Sequence, residues 1–170
     1  MGDNPSSSKK GDEYPVEGIS WSDIQGFLNK LNKVTGKKYA LPTEAQWEYA
    51  ARGGAKSKGY KYSGSNTVDD VAWCWDNNNE GTHPVGKKQA NELGLYDMSG
   101  NVVEWCSDWY GDYSSDSQTD PTGLTYGVFR VRRGGSYIST ATMYCRVSIR
   151  YYGFPGSSGF DTGFRLALLP

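Results

Sequence analysis

The sequence predicts a loop-rich domain in which helices lie toward the start and short buried strands toward the end. Three observations lead there. Two segments in the first third carry helix caps and apolar residues at helical spacing. The stretch from Arg130 to Pro170 opens and closes with strand-like pieces. The composition combines 22 Gly and 7 Pro with 6 Trp and 13 Tyr, so large rings, rather than long aliphatic helices, must fill the core. At 170 residues the chain is one domain's worth and long enough to bury a core.

Residues 1–18 are polar and read as an irregular lead-in. Ser20-Trp21-Ser22-Asp23 resembles a capping box, with Ile24, Phe27, Leu28 and Leu31 following at helical spacing and Gly36 as the stop. A second helix starts at Thr43 as N-cap, with Gln46 three residues on. It turns Trp47, Ala50 and Ala51 inward and ends at Arg52-Gly53-Gly54. Residues 55–90 keep no period beyond short pieces such as Val71–Trp75 and an Asn77-Asn78-Asn79 turn. Val131 precedes a Gly pair, and Phe164, Leu166 and Leu168 alternate as in a half-buried strand.

Charge and cysteine usage narrow the function. A net charge of −1 points to neither nucleic acid nor an anionic membrane surface. No apolar run is long enough to cross a bilayer, so this segment inserts in no membrane by a helix, and no signal peptide is visible in it. Cys74, Cys106 and Cys145 are odd in number and lack metal-type spacing, which defines neither a disulfide framework nor a zinc site.

Two stretches carry chemistry. From Asn91 to Tyr110, Asp97, Asn101, Glu104 and Asp108 crowd oxygen donors around a Gly turn. Calcium takes six to eight such oxygens, so a cation loop is one reading; the other is that these groups bond the turn and cap its neighbours. From Tyr151 to Asp161, Tyr and Phe alternate with Ser, Gly and Pro. Binding loops use this mixture, because rings give contact area at low entropy cost while Ser and Gly adapt. The competing reading is a long loop whose rings tuck back onto the domain.

Five motifs occur together and in order: Pro15-Val16-Glu17-Gly18-Ile19-Ser20-Trp21, Leu41–Gly54, Gly94–Trp105, Arg133-Gly134-Gly135-Ser136-Tyr137 and Gly163-Phe164-Arg165. From about Asn4 to the C-terminus the chain resembles the formylglycine-generating-enzyme (sulfatase-modifying factor) domain. The resemblance implies an α+β fold related to C-type lectins, with two helices, short antiparallel strands and much irregular structure. Strands that the family carries before Pro15 are missing here, which implies either a shortened member or a truncated piece of a longer one. The resemblance also implies a calcium loop held by the Asp97 and Glu104 side chains with the Gly100 and Val102 carbonyls.

The family's oxidase chemistry resembles a copper-dependent reaction on two cysteines, and soft copper(I) needs thiolates. Alignment on Gly134-Gly135-Ser136-Tyr137 puts Ser139 and Tyr144 at those positions, with Cys145 one residue off. The related iron enzymes use histidines, and His83 is the only one here, read as a turn or surface residue. An enzyme of this type is therefore disfavoured, and no redox cofactor is expected.

A second resemblance fits better. Diversity-generating retroelements make variable proteins on this scaffold by mutating adenines near the 3′ end of the gene, so that AAC codons become many residues but never Lys, Glu, Gln or Trp. From Gly134 to Pro170 none of these four occurs, nor does Asn, although all are frequent earlier; Met143 would need another template codon. Chance composition in a Gly-rich loop is the alternative. The implied function is binding without chemistry through a variable surface spanning about 137–162. Its candidate residues are Ile138, Ser139, Thr140, Met143, Ile149, Tyr151, Tyr152, Phe154, Ser157, Ser158, Phe160 and Asp161, with Tyr151, Tyr152, Phe154 and Phe160 as anchors. The resemblance suggests a protein or other surface-displayed ligand as partner, and a cell-surface or extracellular setting.

Overall fold

The computed structural model describes residues 4–8, 10–79 and 81–170, and at Ala141 and Thr142 the backbone alone. Parts of the expected lead-in, residues 1–3 and 9, lie outside the described residues.

Both capped helices form where their residues require. Helix α1 spans Trp21–Thr35: Ser20 Oγ accepts from the Asp23 N–H at 3.1 Å, and Gly36 closes the helix at φ 68°. Ile24 and Leu28 are buried and Phe27 packs beside them. Strand β1, Tyr39–Ala40, leads to helix α2, Glu44–Ala51. There the capping box is complete, with Gln46 N–H on Thr43 Oγ1 at 3.1 Å and Thr43 N–H on Gln46 Oε1 at 2.9 Å. A 3₁₀ turn follows at Gly54–Lys56. Two single-turn helices that no period announced are α3 at Val68–Val71 and α4 at Ala141–Tyr144.

The main sheet contains β2 (Val103–Trp109), β3 (Arg130–Arg133), β4 (Arg150–Gly153) and β5 (Thr162–Phe164) in the order β4-β3-β2-β5. A small ribbon pairs β1 with β6, Ala167–Leu168. The β2–β3 and β3–β4 pairs are antiparallel, but β2 and β5 run parallel, which corrects the expectation of antiparallel strands throughout. The cause is the path of residues 154–161, which carry the chain from the β4 edge of the sheet to the β5 edge. This arch is held to the start of the domain: the N–H groups of Ser22 and Gly18 donate to the carbonyls of Pro155 and Gly159, each at 3.0 Å.

Strand β2 separates two apolar layers, because successive side chains point to opposite faces. Trp105 packs with Ile19, Ile24, Leu28 and Leu41 on the α1 side. Cys106 packs with Trp47, Ala51, Met98, Val131 and Val147 on the α2 side. A third cluster joins Tyr62, Val71, Ala72, Cys74 and Cys145. Trp47 and Trp105 are core residues as expected, whereas Phe164 is half-buried against Phe27. Leu166 and Leu168 are exposed, contrary to expectation. After Phe164 the chain leaves the main sheet, and the two-residue ribbon with β1 is covered on one side only.

Candidate binding face

The C-terminal segment hangs on a frame of fixed contacts. Arg133, with no exposure, donates to the carbonyls of Val147 and Ile149 at 2.9 Å each and pairs with Glu48 and, at 3.6 Å, with Glu44. Gly135 has φ 72°, and a Cβ there would lie 2.7 Å from the Tyr144 carbonyl, so glycine is required. Ser136 Oγ donates to Asp161 Oδ2 at 2.8 Å, its N–H to Ser139 Oγ at 3.0 Å, and Trp75 N–H to the Ser139 carbonyl at 3.1 Å.

On this frame Ile138, Thr140, Met143, Tyr152, Phe154, Ser157, Ser158 and Phe160 are exposed. Tyr152, Phe154 and Phe160 keep about half of their surface in water, at 49%, 56% and 58%. Four of the expected face residues instead serve the frame. Ser139 and Asp161 make the bonds just described and are half-buried, and so is Ile149. Tyr151 is half-buried as well: its hydroxyl donates to the Tyr144 carbonyl at 2.8 Å, and burial pushes its phenol pKa up.

The face also includes rings outside the expected segment. Phe129 lies 4.6 Å from Phe154 and 4.8 Å from Tyr152, whose ring lies 4.7 Å from Tyr110. The signal for Phe129 was its place one residue before β3, opposite Phe154 once β3 and β4 pair. Beyond Tyr110, the Arg150 guanidinium stacks on Tyr110 at 4.6 Å and Tyr113 at 4.0 Å, while its two 2.7 Å bonds engage both Glu44 oxygens.

The acidic residues around the Gly100 turn separate. Asn101 bonds the His83 backbone in both directions, at 3.1 Å each way, and Asp108 accepts from the first N–H of α2 at 2.9 Å. Both side chains thus bond neighbouring backbone. Asp97 and Glu104 do line one cleft of 380 Å³ together with Val102 and Arg165. Both Glu104 oxygens accept from Arg165 at 2.6 Å, and one of them also from Trp47 Nε1 at 2.7 Å. Asp97 Oδ2 accepts from Gly86 N–H at 2.7 Å, while buried Oδ1 has no hydrogen-bond partner among the described residues. Burial pushes the Asp97 carboxyl up. The donors thus fit a hard cation in part: Asp97 Oδ1 is free, and Glu104 Oε1 keeps a lone pair beside Arg165. Gly100 turns at φ 78° tight against Trp73, where a Cβ would lie 2.3 Å from its carbonyl. Among the described residues no group of three or more His, Cys, Asp or Glu is gathered around a metal position.

All three cysteines are buried. Burial pushes Cys145 up to about 12, Cys106 well above its ordinary value and Cys74 upward, and all three are free. Cys145 shares its apolar cluster with Cys74, a neighbour that spacing could not reveal. The His83 ring stacks on Trp73 at 3.7 Å and bonds the Asn78 carbonyl, so it is a packed turn residue.

Frame and face together define a class: a C-type-lectin-like α+β scaffold of the formylglycine-generating type with an aromatic loop surface at its C-terminal end. The profile of the sulfatase-modifying factor enzyme 1-like domain matches residues 2–169, and the chain belongs to this family. Its structure is similar to that of Treponema denticola variable protein 1, with a TM-score of 0.91 and 34% identity over 100% of this chain and 79% of that one. Among curated relatives, chaperone protein LppX of Paenibacillus barcinonensis is 34% identical over 98% of this chain and 73% of its own length. The formylglycine-generating enzyme of Streptomyces coelicolor is 37% identical over 91% of this chain. The chain spans 52% of that enzyme's length, about half.

Proposed function

We propose that this chain is a non-enzymatic, receptor-type variable protein of a diversity-generating retroelement, which binds a protein or other surface-displayed ligand outside the cell. One observation carries the reading: Tyr152, Phe154 and Phe160 stand half in water on a segment tied down by Arg133 at the Ile149 carbonyl, by Ser136 at the Asp161 carboxylate and by the main-chain N–H groups of Gly18 and Ser22. Side chains there are replaceable without cavities, while core changes cost ~2–5 kcal/mol each. The likeness to a variable protein supports it. The similarity to formylglycine-generating enzymes favours an oxidase as the second reading. It has against it Ser139 and Tyr144 at the positions where the family carries its two cysteines.

Replacing Tyr152, Phe154 and Phe160 together by Ser should cost only about 1–2 kcal/mol, mostly lost ring contacts, and lower the melting temperature by a few degrees. Adding Tyr151→Ser should cost more than any of the three. A thermal melt in which the triple variant loses many degrees would show that these rings are core. The origin is tested in the DNA around the gene: a near-copy of the 3′ end with AAC at the exposed positions, beside a reverse transcriptase, is expected. Stoichiometric copper(I) uptake by the purified protein would instead favour the oxidase.

For the Asp97–Glu104 cleft we propose a structural calcium ion, held by those two side chains with the Gly100 and Val102 carbonyls. The partnerless Asp97 Oδ1 supports it. Without the ion, the raised Asp97 carboxyl favours the fold most below its unfolded value of about 3.9, and this contribution is lost as pH rises through the higher folded value. Calcium should offset that loss at neutral pH. The melting temperature is expected to rise with calcium over excess EDTA, and Asp97→Asn should abolish the response. Identical melts of the parent in calcium and EDTA would refute the site.

A further inference from the structure

We infer that the recognition surface continues from the variable segment onto the fixed stretch 110–129 and ends in a cleft that receives a basic side chain of the protein partner. This rests on the binding reading above and names the partner's chemistry. The observations form one continuous track. Phe154, Phe129, Tyr152 and Tyr110 follow one another at 4.6, 4.8 and 4.7 Å between ring centres. Tyr110 then passes to Arg150 and Tyr113 at the rim of a cleft of 540 Å³. Around this track Leu124, which bridges to Trp109, and Tyr126 and Val128 are exposed at 50%, 82% and 63%.

Charge selects the occupant. Residues 111–129 contain Asp112, Asp116 and Asp120 and no Lys or Arg. The cleft is lined by four carboxylates, Glu44, Asp108, Asp112 and Asp116, against the single guanidinium of Arg150. Glu44 already neutralises Arg150 through both of its oxygens. Asp108 is buried and bonded to the first N–H of α2, so Asp112 and Asp116 remain for an occupant, with Tyr113 and the Trp109 ring, on which the Arg130 guanidinium lies at 3.4 Å, beside them. A cation between carboxylates and aromatic faces is attracted by both. Arg150 itself is held in this way, on two tyrosine rings and a carboxylate, so the same cradle chemistry suits a second guanidinium. A segment with an Arg or Lys beside apolar residues would lay the latter on the ring track and the former in the cleft.

The test uses the whole chain and small probes: Nα-acetyl-arginine N-methylamide, and its neutral citrulline counterpart of nearly equal shape. Binding is followed through the Trp109 indole N–H resonance. The arginine probe should shift it saturably, and the citrulline probe should bind about tenfold more weakly or not at all. The exposed double variant Asp112→Asn/Asp116→Asn, which leaves the core untouched, should weaken the arginine probe about fivefold. Raising the salt should weaken it further. Equal shifts from both probes, shifts confined to resonances away from the cleft, or no shift at all would each overturn the inference. The template copy beside the gene would still stand or fall separately, so the two readings fail in distinguishable ways.

Discussion

Arg133→Ala is expected to lower stability by about 3–5 kcal/mol, the range for breaking a buried ion pair from one side. The side chain is fully buried and sits between Glu44 and Glu48, with its guanidinium 5.3 Å from the Trp47 ring centre. Its removal leaves Glu48 with only the half-exposed Arg52, and it strips the Val147 and Ile149 carbonyls of their donor. Those carbonyls belong to the turn that feeds β4, so the damage should reach the candidate face as well as the core. Melting temperature should fall on the order of 10 °C. Arg133→Lys keeps the charge but not the planar fork that reaches several acceptors at once, and should recover only part of the loss. A melt of Arg133→Ala within a degree or two of the parent would mean that the pair contributes nothing.

Trp105→Ala should cost roughly 3–5 kcal/mol for a different reason, the cavity left by a large ring. Trp105 has no exposure, its indole N–H donates to the Ile19 carbonyl at 3.1 Å, and it fills the layer between β2 and α1. Gly153 lies so close that a Cβ there would sit 2.9 Å from the indole. Trp105→Phe should cost less, since a ring remains. Denaturant midpoints of parent, Phe and Ala variants would rank in that order. An Ala variant unfolding at the parent's midpoint would overturn the core assignment.

What could be read from the residues alone was whatever is decided within a few positions. Ser20, Gly36, Thr43 and Gln46 fix helix ends through bonds to neighbours three or four residues away, and these appeared where expected. Non-local partners were not legible. Nothing near Glu104 announces that Arg165, 61 residues on, would take both of its oxygens. Nothing near Tyr110 places its ring beside Tyr152. The candidate face divided along the same line. Composition marked the segment, but alternation within an irregular loop could not tell exposed Tyr152 from half-buried Tyr151; that distinction follows from β4 lying at the sheet edge, with Tyr151 turned toward Tyr144. The parallel β5 was hidden in turn, because strand direction is set by the arch that precedes it.

That arch has a consequence for how such a protein can diverge. It is pinned at Pro155 and Gly159 through main-chain carbonyls, and main-chain bonds are indifferent to the side chains borne between them. Phe154, Ser157, Ser158 and Phe160 can therefore be exchanged freely in kind. Number is another matter. The arch bridges a fixed gap between the two edges of the sheet, and at its far end Gly163 is pressed so closely on the lead-in that a Cβ would come within 2.3 Å of the Val16 carbonyl. A residue inserted or deleted would have to be absorbed within the arch, between its pinned carbonyls and Gly163. Substitution is therefore the change the arch takes up at least cost, since its main-chain anchors stay in place whatever side chains stand between them.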